Sequence, residues 1–347
     1  MEDIIRNYLL SVSTFYLLFI ITLMLYTLSK GADIVVDEAV NLSINLGVSR
    51  VIIGATIISL GTTLPEASVS VLAAIKGNPD LALGNAIGSI IADTGLIIGL
   101  AALIGHLPVE ESIVNRQGKI QLYSGILLAV LALPFISGGR INQYTGWIFI
   151  FLLIIYLYSS IKWARKSSVD TGTALPETVN QEKDCTVEKQ AAGKDAALVQ
   201  LLKLAAGITL VIVSSKVLIP TVEVTAGRLG ISQSIIAATL VAFGTSLPEL
   251  VTAITAVRKG HGELAVGNII GADILNVLFV IGAAATVTPA GLLVPFYFYK
   301  LQIPAMLIIL ISFRFFSTRK KRAISSKEGL VLVSIYCIYL ILSFTGV

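Results

Sequence analysis

Two short motifs place a glutamate and a threonine inside apolar stretches of the chain. Gly-Thr-Thr-Leu-Pro-Glu ends at Glu66, and Gly-Thr-Ser-Leu-Pro-Glu ends at Glu249. Thr62 lies four residues before Glu66, and Thr245 lies four before Glu249, so each pair shares one face of a helix. The proline before each glutamate has no N–H and clashes with the carbonyl four residues back. We therefore expect the carbonyls around Ser59 to Gly61, and around Ala242 to Gly244, to be released from helix bonding. Carboxylate, hydroxyl and carbonyl oxygens together predict a cation site.

The donor types indicate which cation. His106 and His261 fall near predicted helix ends and are interpreted as loop residues, while Cys185 and Cys337 are far apart in the sequence. They therefore predict neither a disulfide framework nor a thiol metal site. An oxygen-only, flexible donor set favours hard cations such as Ca²⁺ and Na⁺ over Zn²⁺ or Cu. The two glutamates would balance the charge of one Ca²⁺.

A second repeated motif and two aspartates add polar groups to apolar stretches. Gly-Asn-Ala-Ile-Gly contains Asn85, and Gly-Asn-Ile-Ile-Gly contains Asn268. Each amide either packs between helices or supports the glutamates and the released carbonyls. Asp93 and Asp273 follow within the same apolar runs. A charge at mid-membrane costs at least ~2.5 kcal/mol, so these acids are either functional or fully hydrogen-bonded packing residues.

The elements that carry these residues are predicted to be transmembrane helices. Hydrophobic residues make up 55% of the 347, and charged residues only 13%, against roughly 25% in soluble domains. Continuous apolar runs of about 18 or more residues indicate membrane-spanning helices and exclude the alternating strands of a β-barrel. The first run is too long for a signal peptide. We predict an all-α polytopic membrane protein with ten spans, at about 9–44, 49–75, 80–105, 119–136, 144–163, 197–227, 232–258, 263–287, 297–315 and 328–345.

The two halves of the chain are related. We call the distance along the sequence from Glu66 to Glu249 the repeat offset. Both motifs recur at this offset, and so do three matched glycine pairs, without a gap. A polar segment rich in Ser, Thr, Asp, Glu and Lys separates the halves and is predicted to be a flexible linker. The predicted units are therefore residues 1–165, the linker 166–196, and residues 197–347. Because each half has an odd number of spans, the second enters the membrane from the opposite side, which is an inverted repeat.

Basic residues predict the orientation. With the N-terminus outside, the inside segments hold 17 Lys and Arg residues and the outside segments hold five. The positive-inside rule then places both termini outside the cell membrane and the linker in the cytoplasm. The net charge of +4 follows from this grouping and gives no reason to invoke nucleic acid. The expected partners are the bilayer and the ions, with no tightly bound cofactor and no required protein partner.

At these motifs the sequence resembles the calcium/cation antiporter superfamily, and most closely its sodium/calcium exchanger branch. The resemblance covers essentially the whole chain and implies cation sites between the second, third, seventh and eighth helices. It implies that Ca²⁺ is held by Glu66, Glu249, Thr62 and Thr245. It implies that Na⁺ sites add Thr63, Ser246, Ser89, Asp93, Asn276 and the carbonyls of Ser59 and Ala242.

The second motif departs from the family pattern. Where the family continues Gly-Ser-Asn, the first half has Gly-Ser89-Ile90 and the second has Gly-Ala272-Asp273. Ala272 lacks a hydroxyl ligand, and Asp273 adds a carboxylate that is grouped with Asn85 and Asn268 as supporting residues. We expect Asp93 to hold a proton in at least one transport state, because neighbouring like charges and desolvation disfavour the ionised form.

The resemblance implies a membrane antiporter that moves Ca²⁺ against Na⁺ by alternating access, with the long first and sixth spans sliding over the others. Neither Gly-Asn motif carries the glutamate usual in proton-coupled members, which favours sodium; a proton-coupled divalent-cation antiporter is the alternative. A channel shares inverted repeats, whereas an enzyme is disfavoured by the lack of a zinc motif or an activated nucleophile. Lys216 stands at the position equivalent to Asp33, so the two long spans are not symmetric.

Overall fold

A computed structural model describes residues 2–109, 111–170, 194–229, 245–319 and 323–345. The helices of the first half are α1 (Glu2–Ser11), α2 (Thr14–Leu46), α3 (Arg50–Thr62), α4 (Leu64–Ile75), α5 (Pro79–Ile104), α6 (Glu111–Ala132), α7 (Pro134–Ser137) and α8 (Gln143–Asp170). Those that follow are α9 (Lys194–Arg228), α10 (Leu247–Arg258), α11 (Gly262–Thr286), α12 (Phe298–Ser317) and α13 (Ser326–Thr345). Four two-residue strands are β1 (Leu107–Pro108), β2 (Arg140–Ile141), β3 (Leu292–Leu293) and β4 (Ala323–Ile324).

Seven helices of the described ranges are long and apolar enough to cross a membrane, namely α2, α5, α8, α9, α11, α12 and α13. The successive helices α3 and α4 make an eighth candidate, bent by 43° at a short break. All eight correspond to predicted spans, so the chain is an all-helical integral membrane protein. Of the remaining two predicted spans, one corresponds to the more polar α6. The other falls partly on residues outside the described ranges, and α10 is its described part.

The fourth span begins at Glu111 rather than at residue 119, and two other predicted boundaries were wrong for local reasons. The first span begins at Thr14 rather than at residue 9, because the Ser13 hydroxyl accepts a hydrogen bond from the Tyr16 N–H and caps a new helix after α1. The fourth span ends at Ala132 rather than at residue 136. Leu133 precedes a proline and takes an extended conformation, which stops the helix.

Several helices contain a wider, π-helical turn. One occupies Gly54–Ile58 in α3, another Ala92–Ile97 in α5, and a third Asn276–Ile281 in α11. A π-turn displaces the regular backbone bonding, and a displaced carbonyl in a membrane needs another partner. The Tyr156 hydroxyl supplies one by donating to the Ala55 carbonyl at 2.9 Å. These three wide turns lie in the helices that carry the repeated motifs, whereas a fourth, Phe298–Gln302, begins α12.

Helices α2 and α9 form a long antiparallel pair, which we call the helix pair. Small residues bring the two backbones together, since a Cβ on Gly31 would lie 2.9 Å from a Val211 methyl group. The Thr27 and Ser214 hydroxyls share a hydrogen bond of 2.8 Å across this contact. The helix pair lies against α3 and α10, and these two helices pack with α4, α5 and α11. We call α3, α4, α5, α10 and α11 the core helices.

The core helices also approach one another through glycines. A Cβ on Gly54 of α3 would lie 2.6 Å from the Leu264 carbonyl of α11, and a Cβ on Gly271 would lie 2.5 Å from the Ser59 hydroxyl. Gly77 and Gly260 close two turns with φ of 72° and 78°, a conformation that favours glycine. These are equivalent positions of the two halves, and each precedes a motif helix.

The four short strands form two pairs, and each pair connects the first half of the chain to the second. β1 pairs with β4, and β2 pairs with β3, both antiparallel. Each pair therefore takes one strand from before residues 171–193 and one from after them. The two halves are fastened together at these strand pairs as well as in the core.

Candidate cation site

Four carboxylates lie inside the membrane-spanning core. Glu66 of α4, Asp93 of α5, Glu249 of α10 and Asp273 of α11 are each only 1% exposed. Asp93 is close enough to Glu66, Glu249 and Asp273 for their charges to interact, and Glu66 and Glu249 interact with each other. The fold thus gathers acids from both halves into one region.

Each glutamate lies in the first turn of a helix. Regular helix stops at Thr62, and α4 begins at Leu64 with Pro65 in its first turn and Glu66 next to it. In the second half, Ser246 precedes α10, whose first turn holds Pro248 and Glu249. A proline is tolerated in a first turn because its missing N–H has no helical partner there. The positive end of the helix dipole then faces each carboxylate.

Each threonine lies beside the glutamate of the opposite half. Thr245 is next to the Glu66 carboxylate and Thr62 is next to the Glu249 carboxylate, although their hydroxyls donate to the Asn85 amide oxygen and to the Ile58 carbonyl. The four-residue spacing paired each threonine with the glutamate of its own motif. It did not predict that each threonine also lies beside the glutamate of the other motif. Because the two contacts are reciprocal, each half contributes a carboxylate to one pair and a hydroxyl to the other.

Many oxygens of this region have no hydrogen-bond partner among the described residues. An unpaired buried acceptor costs about 1–3 kcal/mol, so a set of them indicates that another species satisfies them. They include one oxygen each of Thr63, Glu66, Asp93, Ser246, Glu249, Asp273 and Asn276. All seven come from residues singled out in the sequence.

No three acidic, histidine or cysteine side chains of the described ranges converge closely enough to hold a metal ion. A cation here would need the hydroxyl, amide and backbone oxygens besides the carboxylates. Such a mixed oxygen set suits Ca²⁺ and Na⁺.

The backbone prediction was wrong at Ser59. Its carbonyl accepts a hydrogen bond of 2.9 Å from the Thr63 N–H, so the proline does not release it from helix bonding. Pro65 removes the donor only from the carbonyl four residues before it, which belongs to Gly61. The Thr62 hydroxyl also donates to this carbonyl, at 3.5 Å. The ligand role of Ser59 stays a prediction. Ala242 lies outside the described residues.

Asn85 connects the motifs of the two halves. Its amide nitrogen donates to the Glu66 carbonyl at 3.1 Å and to the Ser70 hydroxyl at 2.9 Å. Its amide oxygen accepts from the Thr245 hydroxyl at 3.0 Å, and the Ser89 hydroxyl lies 3.5 Å from that of Thr245. Asn85 therefore contacts the glutamate backbone directly, which favours the supporting role over simple packing.

Asn268 does not reproduce this network. It is buried, and neither its amide nitrogen nor its amide oxygen has a partner among the described residues. The position equivalent to Ser70 is Ala253, which has no hydroxyl. The two asparagines are therefore equivalent in sequence but differ in their contacts.

Sequence reasoning missed two residues that hold Asp273. Thr94 and Gln121 both donate to one carboxylate oxygen of Asp273, the latter at 2.6 Å, and Gln121 also donates to the Thr94 hydroxyl at 3.2 Å. Gln117 and Gln121 are both buried and lie four residues apart on α6. Two glutamines four residues apart in a membrane helix could have indicated, from the sequence, a polar contact on this face of α6.

Comparison with known proteins identifies the family. The sequence model described as sodium/calcium exchanger protein matches residues 16–162 and 199–345, and the second match begins and ends one repeat offset after the first. The chain belongs to the sodium/calcium exchanger family. This confirms the resemblance seen at the motifs, and the chain is a transporter of the calcium/cation exchanger class.

Relatives from this family span almost the whole chain. The inner membrane protein YrbG of Escherichia coli is 33% identical over 89% of this chain and 91% of its own length. The sodium/calcium exchanger MaX1 of Methanosarcina acetivorans is 30% identical over 94% and 97%. A solved structure of the sodium-calcium exchanger NCX_Mj superimposes with a TM-score of 0.76 at 27% identity, covering 95% of this chain and 99% of that one.

Proposed function

We propose that the protein exchanges Ca²⁺ for Na⁺ across the cell membrane. The observation that carries this is the unpaired oxygen of each buried carboxylate, with Thr245 beside Glu66 and Thr62 beside Glu249. Two carboxylates balance one Ca²⁺, and the hydroxyls complete an oxygen set. Similarity to proteins named sodium/calcium exchangers supports the same two transported ions.

The ligands proposed for Ca²⁺ are Glu66, Glu249, Thr62 and Thr245. Those proposed for Na⁺ add Thr63, Ser246, Ser89, Asp93, Asn276 and the carbonyls of Ser59 and Ala242. Because the sets overlap, Ca²⁺ and Na⁺ compete for the same carboxylates. The empty site carries an uncompensated buried charge and should cross the membrane poorly, which couples the two fluxes.

Alternating access requires two bodies that move against each other. We propose that the core helices hold the ions and that the helix pair slides over them. Two observations support this division: the helix pair packs extensively against itself, and close glycine contacts tie α3 to α11. The sliding opens the site to one side of the membrane at a time.

The same proposal includes two inverted halves, residues 1–165 and 197–347, joined by a cytoplasmic linker at 166–196, with both termini outside. Three observations support the repeat: the two family matches are separated by the repeat offset, the turn glycines are equivalent, and each strand pair joins one half to the other. The asymmetric distribution of Lys and Arg supports the orientation.

Proton coupling is the second candidate. Four buried carboxylates carry more negative charge than one Ca²⁺ neutralises, so a proton would share the site in some states. This observation favours proton binding without requiring that protons drive transport.

Ion flux in proteoliposomes tests both candidates. We expect Ca²⁺ uptake driven by an outward Na⁺ gradient, loss of that uptake in Glu66→Gln and in Glu249→Gln, and little uptake under a pH gradient alone. Uptake driven by the pH gradient without Na⁺ would establish the second candidate. Ca²⁺ flux with neither counter-ion would indicate a channel.

A further inference from the structure

A lysine beyond the end of α10 holds the long helix α2. The Lys259 ammonium nitrogen lies 2.8 Å from Asp37 Oδ1 and 3.1 Å from Asp33 Oδ1. It also reaches the Asp33 carbonyl oxygen at 3.4 Å. The lysine side chain is 29% exposed, so these ion pairs are partly shielded from solvent. They join the core helices to the helix pair at one end of the molecule, which we call the Lys259 end.

Two other ion pairs of the described residues each stay within one moving body. Lys203 and Glu38, at 3.6 Å, connect α9 to α2 inside the helix pair. Arg50 and Glu263, at 2.6 Å, connect α3 to α11 inside the core helices. Only contacts that cross between the two bodies must break when one slides over the other. The Lys259 pairs have that property.

The equivalent residues of the other half carry the wrong charges for such a contact. At the repeat offset, Lys76 corresponds to Lys259, Lys216 to Asp33, and Pro220 to Asp37. An inverted motion would bring Lys76 towards Lys216, and two like charges repel. Glu223 is the next acid along α9, at the position of the apolar Val40.

Helix packing is also closer at the Lys259 end of the molecule than at the opposite end, near Lys76. Helix α10 packs along α2, whereas its equivalent α4 makes at most marginal contact with α9. Leu72 lies four residues before Lys76 on the same face and is 56% exposed, while the equivalent Thr255 is half-buried. The described residues are therefore packed together at the Lys259 end and apart at the Lys76 end.

We propose that Lys259 with Asp33 and Asp37 forms a one-sided latch that favours the conformation closed at the Lys259 end. The opposite conformation has no equivalent latch, because Lys216 would repel Lys76. The inference rests on the proposed function, because it requires the helix pair to slide between two related positions. In the proposed orientation the Lys259 end faces the cytoplasm, so the latch favours ion access from outside. These residues thereby set which side of the membrane the empty carrier faces.

Thiol labelling measures the balance between the two conformations. Leu72→Cys and Thr255→Cys are introduced separately into a chain with Cys185→Ser and Cys337→Ser. Each is labelled with a water-soluble maleimide in purified full-length protein. The labelling ratio is the rate at Leu72→Cys divided by the rate at Thr255→Cys. We expect faster labelling at Leu72→Cys. Lys259→Gln should lower the ratio about two- to fivefold, the range of a partly exposed ion pair.

Creating a counterpart latch is the stronger test. Lys216→Asp offers Lys76 an acidic partner and should lower the labelling ratio below that of the unchanged chain. Adding Lys76→Gln removes the lysine of that pair and should cancel the effect. Lys203→Gln, a matched control within the helix pair, should leave the ratio unchanged. An unchanged ratio in both Lys259→Gln and Lys216→Asp would overturn the latch.

Ca²⁺ flux in the same variants separates the two proposals. Ratios that shift as expected, in a protein without Na⁺-driven Ca²⁺ uptake, would support the latch and reject the proposed ions. Normal Na⁺-driven uptake with unresponsive ratios would reject the latch alone. If Lys216→Asp does not fold, Lys216→Gln removes the repulsion and should still lower the ratio.

Discussion

The Gln121 side-chain amide donates to a carboxylate oxygen of Asp273 over 2.6 Å. This bond ties α6, a helix without any predicted ligand, to the core helix α11. Thr94 donates to the same oxygen, so one oxygen is satisfied twice while the other has no partner among the described residues. Asp273 is thus positioned by its neighbours and points one free oxygen into the acidic region.

Removing the Gln121 amide should destabilise the protein. Gln121→Leu leaves the Asp273 oxygen with a single donor, and we expect the free energy of unfolding to fall by about 1–3 kcal/mol. Gln117→Leu is the matched control, because that amide oxygen lies one turn away on α6 and is already unpaired. Thermal unfolding in detergent without Ca²⁺ measures both. Equal losses in the two variants would contradict a specific role for the bond to Asp273.

Neutralising either glutamate should remove Ca²⁺ binding while relieving repulsion in the empty site. In Glu66→Gln and Glu249→Gln, we expect the Ca²⁺-dependent rise in Tm to disappear and the Tm without Ca²⁺ to increase, since two buried like charges no longer face each other. Asp80→Asn changes an exposed acid in the first turn of α5 and should keep the Ca²⁺ shift. A full Ca²⁺ shift in either glutamine variant would remove that residue from the site.

The two equivalent asparagines should differ in importance. Asn85→Ala removes contacts to the Glu66 carbonyl, Ser70 and Thr245, so we expect Ca²⁺ affinity to fall about tenfold or more, as for other groups that orient ligands. Asn268→Ala removes an amide that makes no hydrogen bond among the described residues and should change affinity less. Calcium titration of Tm measures both affinities. A larger effect at Asn268 would show that its partners form only in another state.

Asp93 should tolerate loss of its charge. Because Glu66, Glu249 and Asp273 all surround it, we expect it to hold a proton in at least one transport state. Asp93→Asn keeps the shape of that protonated form, and we expect wild-type Na⁺-driven Ca²⁺ uptake with an unchanged pH dependence. Complete inactivation would show that the ionised form is required throughout the cycle.

The latch should not respond to pH near neutrality. Burial lowers the pKa of Lys259, but the hydrogen bonds and charges of Asp37 and Asp33 outweigh it and hold the pKa above its ordinary 10.5. A raised lysine pKa stabilises the folded contact below pH 10.5, and this stability is lost only as pH rises through the folded value. We therefore expect a constant labelling ratio from pH 6.5 to pH 8, once corrected for thiolate reactivity.

A neighbouring histidine provides the check on that expectation. Burial and the charge of Arg50 lower the pKa of His261 from its ordinary 6.5, so this side chain stays neutral over the same range. Its protonation would lower stability only on the acid side of pH 6.5. A labelling ratio that changes between pH 6.5 and pH 8, and that His261→Gln makes constant, would assign the change to His261 and contradict the lowered pKa.

The sequence by itself determined the membrane helices, the repeat and the acidic residues. Apolar runs must form helices in a bilayer because each backbone group needs an internal partner, so the spans could be predicted from composition. The repeat offset, shared by both motifs and the matched glycines, was enough to make Glu66 and Glu249 equivalent. The errors at residue 9 and at residue 136 came from a serine cap and a proline. Those are local features that hydrophobicity does not register.

Tertiary structure alone decided which residues meet. Spacing along one helix paired Thr62 with Glu66, but the packing of the two halves set Thr62 beside Glu249 and Thr245 beside Glu66. The same packing gave Asn85 three partners and brought Gln121 to Asp273, 152 residues away in sequence. It also set Lys259 against Asp33 and Asp37. A sequence fixes the face of each helix through its 3.6-residue period, whereas contacts between helices depend on how their glycines and breaks let them cross.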